Sequence, residues 1–358
     1  MTARVSTDGS QGGLQALVLE NEVLRAVVLP ELGGKLWQLT EKRTGREFLW
    51  HNAQLQPGQV PFGATYDDNF FGGWDELFAN DVPEELAGAT FPDHGELWTP
   101  TWDWSIQQET ESFVAVRLAL RAPISGCLIE KTLVLKDGEP CLRIHHRITN
   151  TLARELPYLW KQHVAVRVNE PARIGLGAKT MYLEDFGQPR AGRAGDLYSW
   201  PHHIDDAGSQ TDMSPTLPES SAVSEFQYAT EMSAGWCAIT YQDGAGLGLA
   251  FDRDVLRSCW LFGSYGGWNG IQTLILEPCT GYPIQVSQGV ANGTHQILAP
   301  GQVLETSITA VIYDDMAEVT GIDADGHVAG RRLTELTNAL ATDVRGVGAD
   351  VDSKGASS

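Results

Sequence analysis

Apolar and polar residues alternate along most of this chain with a period of two, the repeat of strands whose side chains point to opposite faces. Leu142, Ile144, His146 and Ile148 interleave with Arg143, His145, Arg147 and Thr149. Residues 113–120 and 127–135 are β-branched or apolar runs, parted by Ala122-Pro123-Ile124-Ser125-Gly126. Lys136-Asp137-Gly138 then supplies a tight turn. Three such runs joined by short turns predict an antiparallel meander. Further strands are predicted over 235–241, 247–251, 271–276 and 304–313, spaced by Gly, Asn and Pro. Helical periodicity is scarce; the best stretch is 330–340, with Leu333, Leu336 and Leu340 at three- and four-residue spacing.

This pattern predicts an all-β fold, a large antiparallel β-sandwich over residues 1–316. Residues 317–358 are expected to form a helical segment and, from 346 on, a disordered Gly/Ser/Asp-rich tail. Residues 185–224, rich in Gly, Pro, Ser and Asp, read as a long excursion from the sheet, a lid or an unstructured stretch.

Charge narrows the partners. Forty-six acidic against twenty-five basic residues give a net charge of −21, which repels phosphate backbones and anionic lipid. A small neutral molecule fits better than nucleic acid or a membrane. The start of the chain lacks an apolar core of the secretory kind, and no apolar run reaches the length of a membrane span. Five cysteines without CxxC spacing suit reduced, buried thiols. A cytoplasmic protein is expected, monomeric or homodimeric.

Three polar residues carry candidate chemistry. His94 lies in Pro92-Asp93-His94-Gly95-Glu96-Leu97-Trp98, where a loop is expected to enter a strand and Gly95 permits close approach. His163 lies on a predicted strand over 157–168, on the face shared with Ala165 and Arg167. Glu277 ends the apolar run Leu274-Ile275-Leu276 before Pro278, which is expected to break the ladder. Two imidazoles and a buried carboxylate make an acid–base set able to work near neutral pH. Tryptophans 74, 98, 102 and 104 surround the first histidine, and Trp faces stack on pyranose rings, although Trp102 and Trp104 share a strand face and one of them should be packing.

In their order, these segments resemble the galactose mutarotase-like proteins, the aldose 1-epimerase superfamily, over about residues 17–313. The resemblance is carried by Leu29-Pro30-Glu31-Leu32-Gly33-Gly34-Lys35-Leu36-Trp37, Gly72-Gly73-Trp74-Asp75-Glu76, Asp93-His94-Gly95-Glu96-Leu97-Trp98, the region of His163, and Leu276-Glu277-Pro278-Cys279. It implies a β-supersandwich and an isomerase that interconverts sugar anomers by ring opening. Glu277 would be the general base, His163 the general acid and His94 a second imidazole. Trp74, Glu76, Trp98, Lys161, Trp268 and Arg46 are the expected substrate contacts, with no metal and no cofactor. Two departures stand out: Val164-Ala165-Val166 follows His163 where the family places an aromatic pair, and the family's substrate-binding aspartate has no counterpart.

Two other functions stay open. One is a sugar-binding protein without turnover. The other is a glycoside-cleaving enzyme that pairs Glu277 with Glu96 or Asp75. Trp200-Pro201-His202-His203 and His145-His146 are poor metal sites, because adjacent strand histidines face opposite ways. Residues 263–270 lack the Lys-Ser/Thr of a phosphate loop and read as a wide turn carrying Trp268.

Overall fold

The structure, a computed structural model, describes residues 3–336. It is built almost wholly of antiparallel strands. One layer runs, neighbour by neighbour, through Asp103–Glu109, Phe113–Arg121, Leu128–Lys136, Cys141–Thr149, Val303–Tyr313 and Gly246–Phe251. The meander predicted over 113–149 is its centre. The other layer runs from Leu14–Glu20 through Leu24–Leu29, Lys35–Glu41, Trp74–Ala79, Leu156–Arg167 and Gln272–Cys279 to Ser258–Tyr265.

Two long strands, Ala172–Leu183 and Val223–Tyr241, belong to both layers. The second pairs with Ser258–Tyr265 through residues 223–228 and with Gly246–Phe251 through residues 236–240. The register between the two long strands slips at residues 176–181, and such irregularities let strands turn from one sheet into another. The layers enclose one apolar core that includes Leu17, Phe78, Ile144, Trp160, Leu249 and Leu276, all at most 3% exposed. Strands over 142–149 alternate buried and exposed, whereas Leu156–Arg167 is buried on both faces except at its ends. All five cysteines are free and buried.

Several expectations need correction. Residues 316–322 and 328–332 form a hairpin, not part of a helical tail; Met316, Val319 and Ile322 bury against Trp236 and Val311. The stretch expected to be helical from 330 is strand as far as Arg332 and helical over 333–336, and 337–340 and the tail from 346 lie outside the described residues. Pro278 does not end its strand, which continues to Cys279 with Pro278 opposite Cys259. The excursion over 185–224 is ordered: Leu197–Ser199, His202–Ile204 and Gln210–Asp212 extend the sheet edge beyond Tyr182. There His203 is buried against Asp196 while His202 is exposed. Among the described residues, no helix is long and apolar enough to cross a membrane.

Candidate active site

Register decides which side chains meet. His163 lies opposite Asp75, and the pairings Lys161 with Cys279 and Val164 with Leu276 put Glu277 across from His163 on its other neighbour. Side chains two apart share a face. Lys161, His163 and Ala165 therefore point the same way as Asp75 and Leu77 on one side and Ile275 and Glu277 on the other. The pairings of Glu277 with Trp260, Ile275 with Phe262, and Phe262 with Phe226 carry that face across two more strands.

The face lines a cavity of about 190 Å³, walled by Phe70, Phe186, Phe226, Phe262 and Trp268 and floored by Lys161, His163 and Glu277. Residues 185–186 of the excursion close one side, with the Phe186 ring 5.0 Å from that of Phe262. His94 reaches the cavity from a loop, not from a strand entry. Its φ is 58°, and Gly95, with φ of 75°, lies so close to Phe78 that a Cβ would sit 2.1 Å from the Phe78 carbonyl oxygen. The His94 amide donates to the Asp81 carbonyl at 2.5 Å, which brings the imidazole to the strand end.

The three expected catalytic residues thus line one cavity. The His94 and His163 rings lie 6.2 Å apart at 84°. Lys161 sits at the base, its Nζ 2.5 Å from both Glu277 Oε2 and Asp81 Oδ2 and 4.4 Å above the Trp260 ring. Behind the histidines stands Tyr66. Its ring stacks on His94 at 4.2 Å, and its hydroxyl lies 2.7 Å from Asp75 Oδ2 and 3.1 Å from His163 Nδ1. Lys35 Nζ donates to the same Asp75 oxygen at 2.6 Å.

The environment separates the charges of these groups. Burial raises the Glu277 carboxyl above its usual range, although Lys161 pulls it the other way. Burial alone would neutralise Lys161, but Asp81 and Glu277 outweigh it and hold the ammonium charged. His163 is driven well below the usual imidazole range by burial, with Lys161, His94 and Lys35 adding to the effect. His94 is also disfavoured as a cation by burial, yet Asp81 and its hydrogen bond to Asp93 raise it above 6.5. Burial and neighbouring charge thus shift the two imidazoles in opposite directions.

The expected substrate contacts divide. Lys161 and Trp268 line the cavity. Trp98 stands one layer back, edge-on to Tyr66 at 5.0 Å. Trp74 and Glu76 have the wrong parity: Trp74 donates to Gln162 Oε1 inside the core, and Glu76 is bound by Lys131 and His146. Arg46 lies away from the cavity, paired with Glu170 and Asp243 and stacked on Tyr241. Sequence reasoning missed Tyr66 and Asp81, which carry no local motif, and took Asp75 only as a rival carboxylate.

Comparison with known proteins bears on the fold. A domain of unknown function, DUF5107, matches residues 4–62. The Slr1438 protein from Synechocystis sp. PCC 6803 is 17% identical, with a TM-score of 0.60, over 84% of this chain and 96% of that one. A candidate aldose 1-epimerase from Escherichia coli K12 is 15% identical, with a TM-score of 0.59, over 83% and 98%. A galactose mutarotase-like protein from Lactobacillus casei ATCC 334 is 16% identical, with a TM-score of 0.55, over 83% and 100%. The chain has the galactose mutarotase-like fold, a large antiparallel β-sandwich, at a distance in sequence that marks it as divergent.

Proposed function

We propose that this protein is a carbohydrate epimerase that interconverts the anomers of a sugar by ring opening. The observation that carries the reading is that Glu277, His94 and His163, far apart in sequence, line one small aromatic-walled cavity. Glu277 takes the proton of the anomeric hydroxyl, an imidazole donates one to the ring oxygen, and the bond between C1 and that oxygen breaks. Rotation about C1–C2 and closure from the other face, with both protons returned, complete the exchange. The raised Glu277 carboxyl suits a base working nearer neutrality. No residue of this scheme needs a metal or organic cofactor.

The rival carboxylate pairs are less well supported. Glu96 accepts the amides of Ile124 and Ser125, outside the cavity lining, and Asp75 is covered by Tyr66 and Lys35. Asp81 is close to Glu277, but Lys161 stands between the two where a scissile bond would have to lie.

The test is anomer exchange, followed by polarimetry or NMR on freshly dissolved sugars. Acceleration that Glu277→Gln abolishes is expected. Binding without acceleration would overturn the reading in favour of a sugar-binding protein, and release of a new reducing end would overturn it in favour of a hydrolase.

A further inference from the structure

The buried chain Lys35–Asp75–Tyr66 behind His163 has no part in the scheme above, although it touches both histidines. Its hydrogen bonds can be assigned from proton counts alone. A phenol has one proton to give and here faces two acceptors. Asp75 Oδ2, at 2.7 Å, already accepts from the Lys35 ammonium at 2.6 Å, and Lys donates only. That oxygen is therefore an ion-paired carboxylate and takes the phenolic proton. Were the phenol to point at His163 instead, two bare oxygens would face each other at 2.7 Å in a buried site, which is strongly unfavourable. His163 Nδ1, 3.1 Å from the phenolic oxygen, must then carry the proton and donate it to Tyr66.

We propose that Tyr66, held by Asp75 and Lys35, is a positioning residue that locks His163 in the Nδ1–H tautomer, so that His163 meets the sugar through Nε2 as an acceptor and the acid is His94. This deepens the epimerase reading and rests on it for the role of His94; the tautomer stands on geometry alone. His94 is built for the complementary task. Its Nδ1 faces Asp93 Oδ1 at 2.9 Å, which leaves Nε2–H as the transferable proton. In the forward step His94 Nε2–H protonates the ring oxygen as Glu277 takes the anomeric proton, and on closure both protons go back. His163 Nε2 accepts from a sugar hydroxyl throughout and neither gains nor loses a proton. The charged groups around His163 agree with this division. Lys161, His94 and Lys35 all oppose a positive charge on it, while Asp75 lies behind the phenol and Glu277 is occupied by Lys161.

The experiment is a long-range ¹H–¹⁵N NMR spectrum of the full chain with ¹⁵N-labelled histidines, using His163→Gln to identify the His163 resonances. The expected result is a protonated Nδ1 and a bare Nε2 on His163 throughout the range, about pH 5–8, in which an ordinary histidine titrates. Tyr66→Phe should release that single tautomer. An Nε2–H form in the wild-type protein overturns the lock even if the enzyme is active, and so does a tautomer unmoved in Tyr66→Phe. If that variant fails to fold, the wild-type spectrum decides alone. In the anomer assay, His94→Gln should lose on the order of 10²–10⁴-fold in rate. His163→Gln, which keeps an acceptor, should lose about tenfold, the scale of one hydrogen bond; the reverse order overturns the assignment. An Nδ1–H His163 in a protein without anomer exchange supports the lock and sinks the epimerase reading.

Discussion

The strands Trp74–Ala79 and Leu156–Arg167 carry buried charge on both faces, and the two faces came out differently. On the core face, Glu76 Oε1 accepts from Lys131 at 2.8 Å and faces His146 Nε2 at 3.2 Å, and Trp160 Nε1 donates to Oε2 at 3.3 Å. Lys131 in turn lies 4.8 Å over the Trp102 ring, so the cluster is sealed by packing. On the cavity face, Lys161 holds Asp81 and Glu277 beside open space. The carboxyls respond in opposite directions. Burial raises both, but Lys131 and His146 together overcome it at Glu76, whereas Lys161, shared with Asp81, does not overcome it at Glu277. A perturbed buried carboxylate is therefore no mark of a site by itself, since structural ion pairs shift just as far. The cavity makes the difference.

The largest expected effect separates the faces by rate. Glu277→Gln should slow anomer exchange on the order of 10²–10⁴-fold, the worth of one positioned general base. The fold should survive, because Lys161 keeps Asp81 as a partner. Glu76→Gln should do the converse and cost about 3–5 kcal/mol of stability, the penalty for breaking a buried ion pair by removing one member. Its rate per folded molecule should stay near wild type, because Glu76 points away from the cavity. Denaturant melts beside the anomer assay check both; a Glu76→Gln protein of normal stability and low activity would collapse the contrast.

Much of this arrangement could be read from the residues, and the parts that could not have definite causes. The strand over 141–149 shows its alternation because one face is partly exposed. Leu156–Arg167 is buried on both sides, so its pattern shows that it is a strand but not which face borders the cavity. Lys161 and His163 share a face by parity alone. The choice between Asp75 and Trp74 with Glu76 needed the register of a strand some eighty residues upstream. Tyr66, at the start of a short 3₁₀ turn, and Asp81, just past a strand end, enter the site only through tertiary contact. The Asp-His-Gly sequence was the one local clue to a loop that brings a histidine to the cavity. The hairpin after residue 316 was misjudged because its few apolar residues are partnered by Trp236 and Val311, distant in sequence.

The pH dependence should differ between the faces. Glu76, lowered from 4.5, contributes stability that is complete above that value and is lost as pH falls toward its folded-state value. The stability gap between wild type and Glu76→Gln should therefore shrink on acidification below about pH 4.5. Glu277, raised, has the opposite sign: its ionised form is the costly one, and that cost appears as pH rises through its folded-state value. The proposed ring opening needs Glu277 ionised and His94 protonated. The rate profile should thus be a bell, its acid limb above 4.5 and its alkaline limb above 6.5, because both groups are raised. A rate that is flat across those limits would remove both groups from the chemistry.

The smallest effect concerns the cavity wall, where no charge is involved. Trp268 stands on the turn after Ser258–Tyr265, its ring 5.4 Å from Phe262 and 6.4 Å from Phe70, and only partly buried. An indole placed there can stack on the C–H face of a pyranose but cannot sense the change from cyclic acetal to aldehyde at C1, several bonds away. Its contribution should be nearly equal for the bound sugar and the transition state, and losing uniform binding of that kind raises KM and leaves kcat alone. Trp268→Ala should therefore weaken binding by about 0.5–1.5 kcal/mol, the scale of one aromatic contact, and shift KM by roughly two- to twelvefold. A loss in kcat instead would mean that Trp268 orients the sugar against Glu277, and the wall would then belong with the floor.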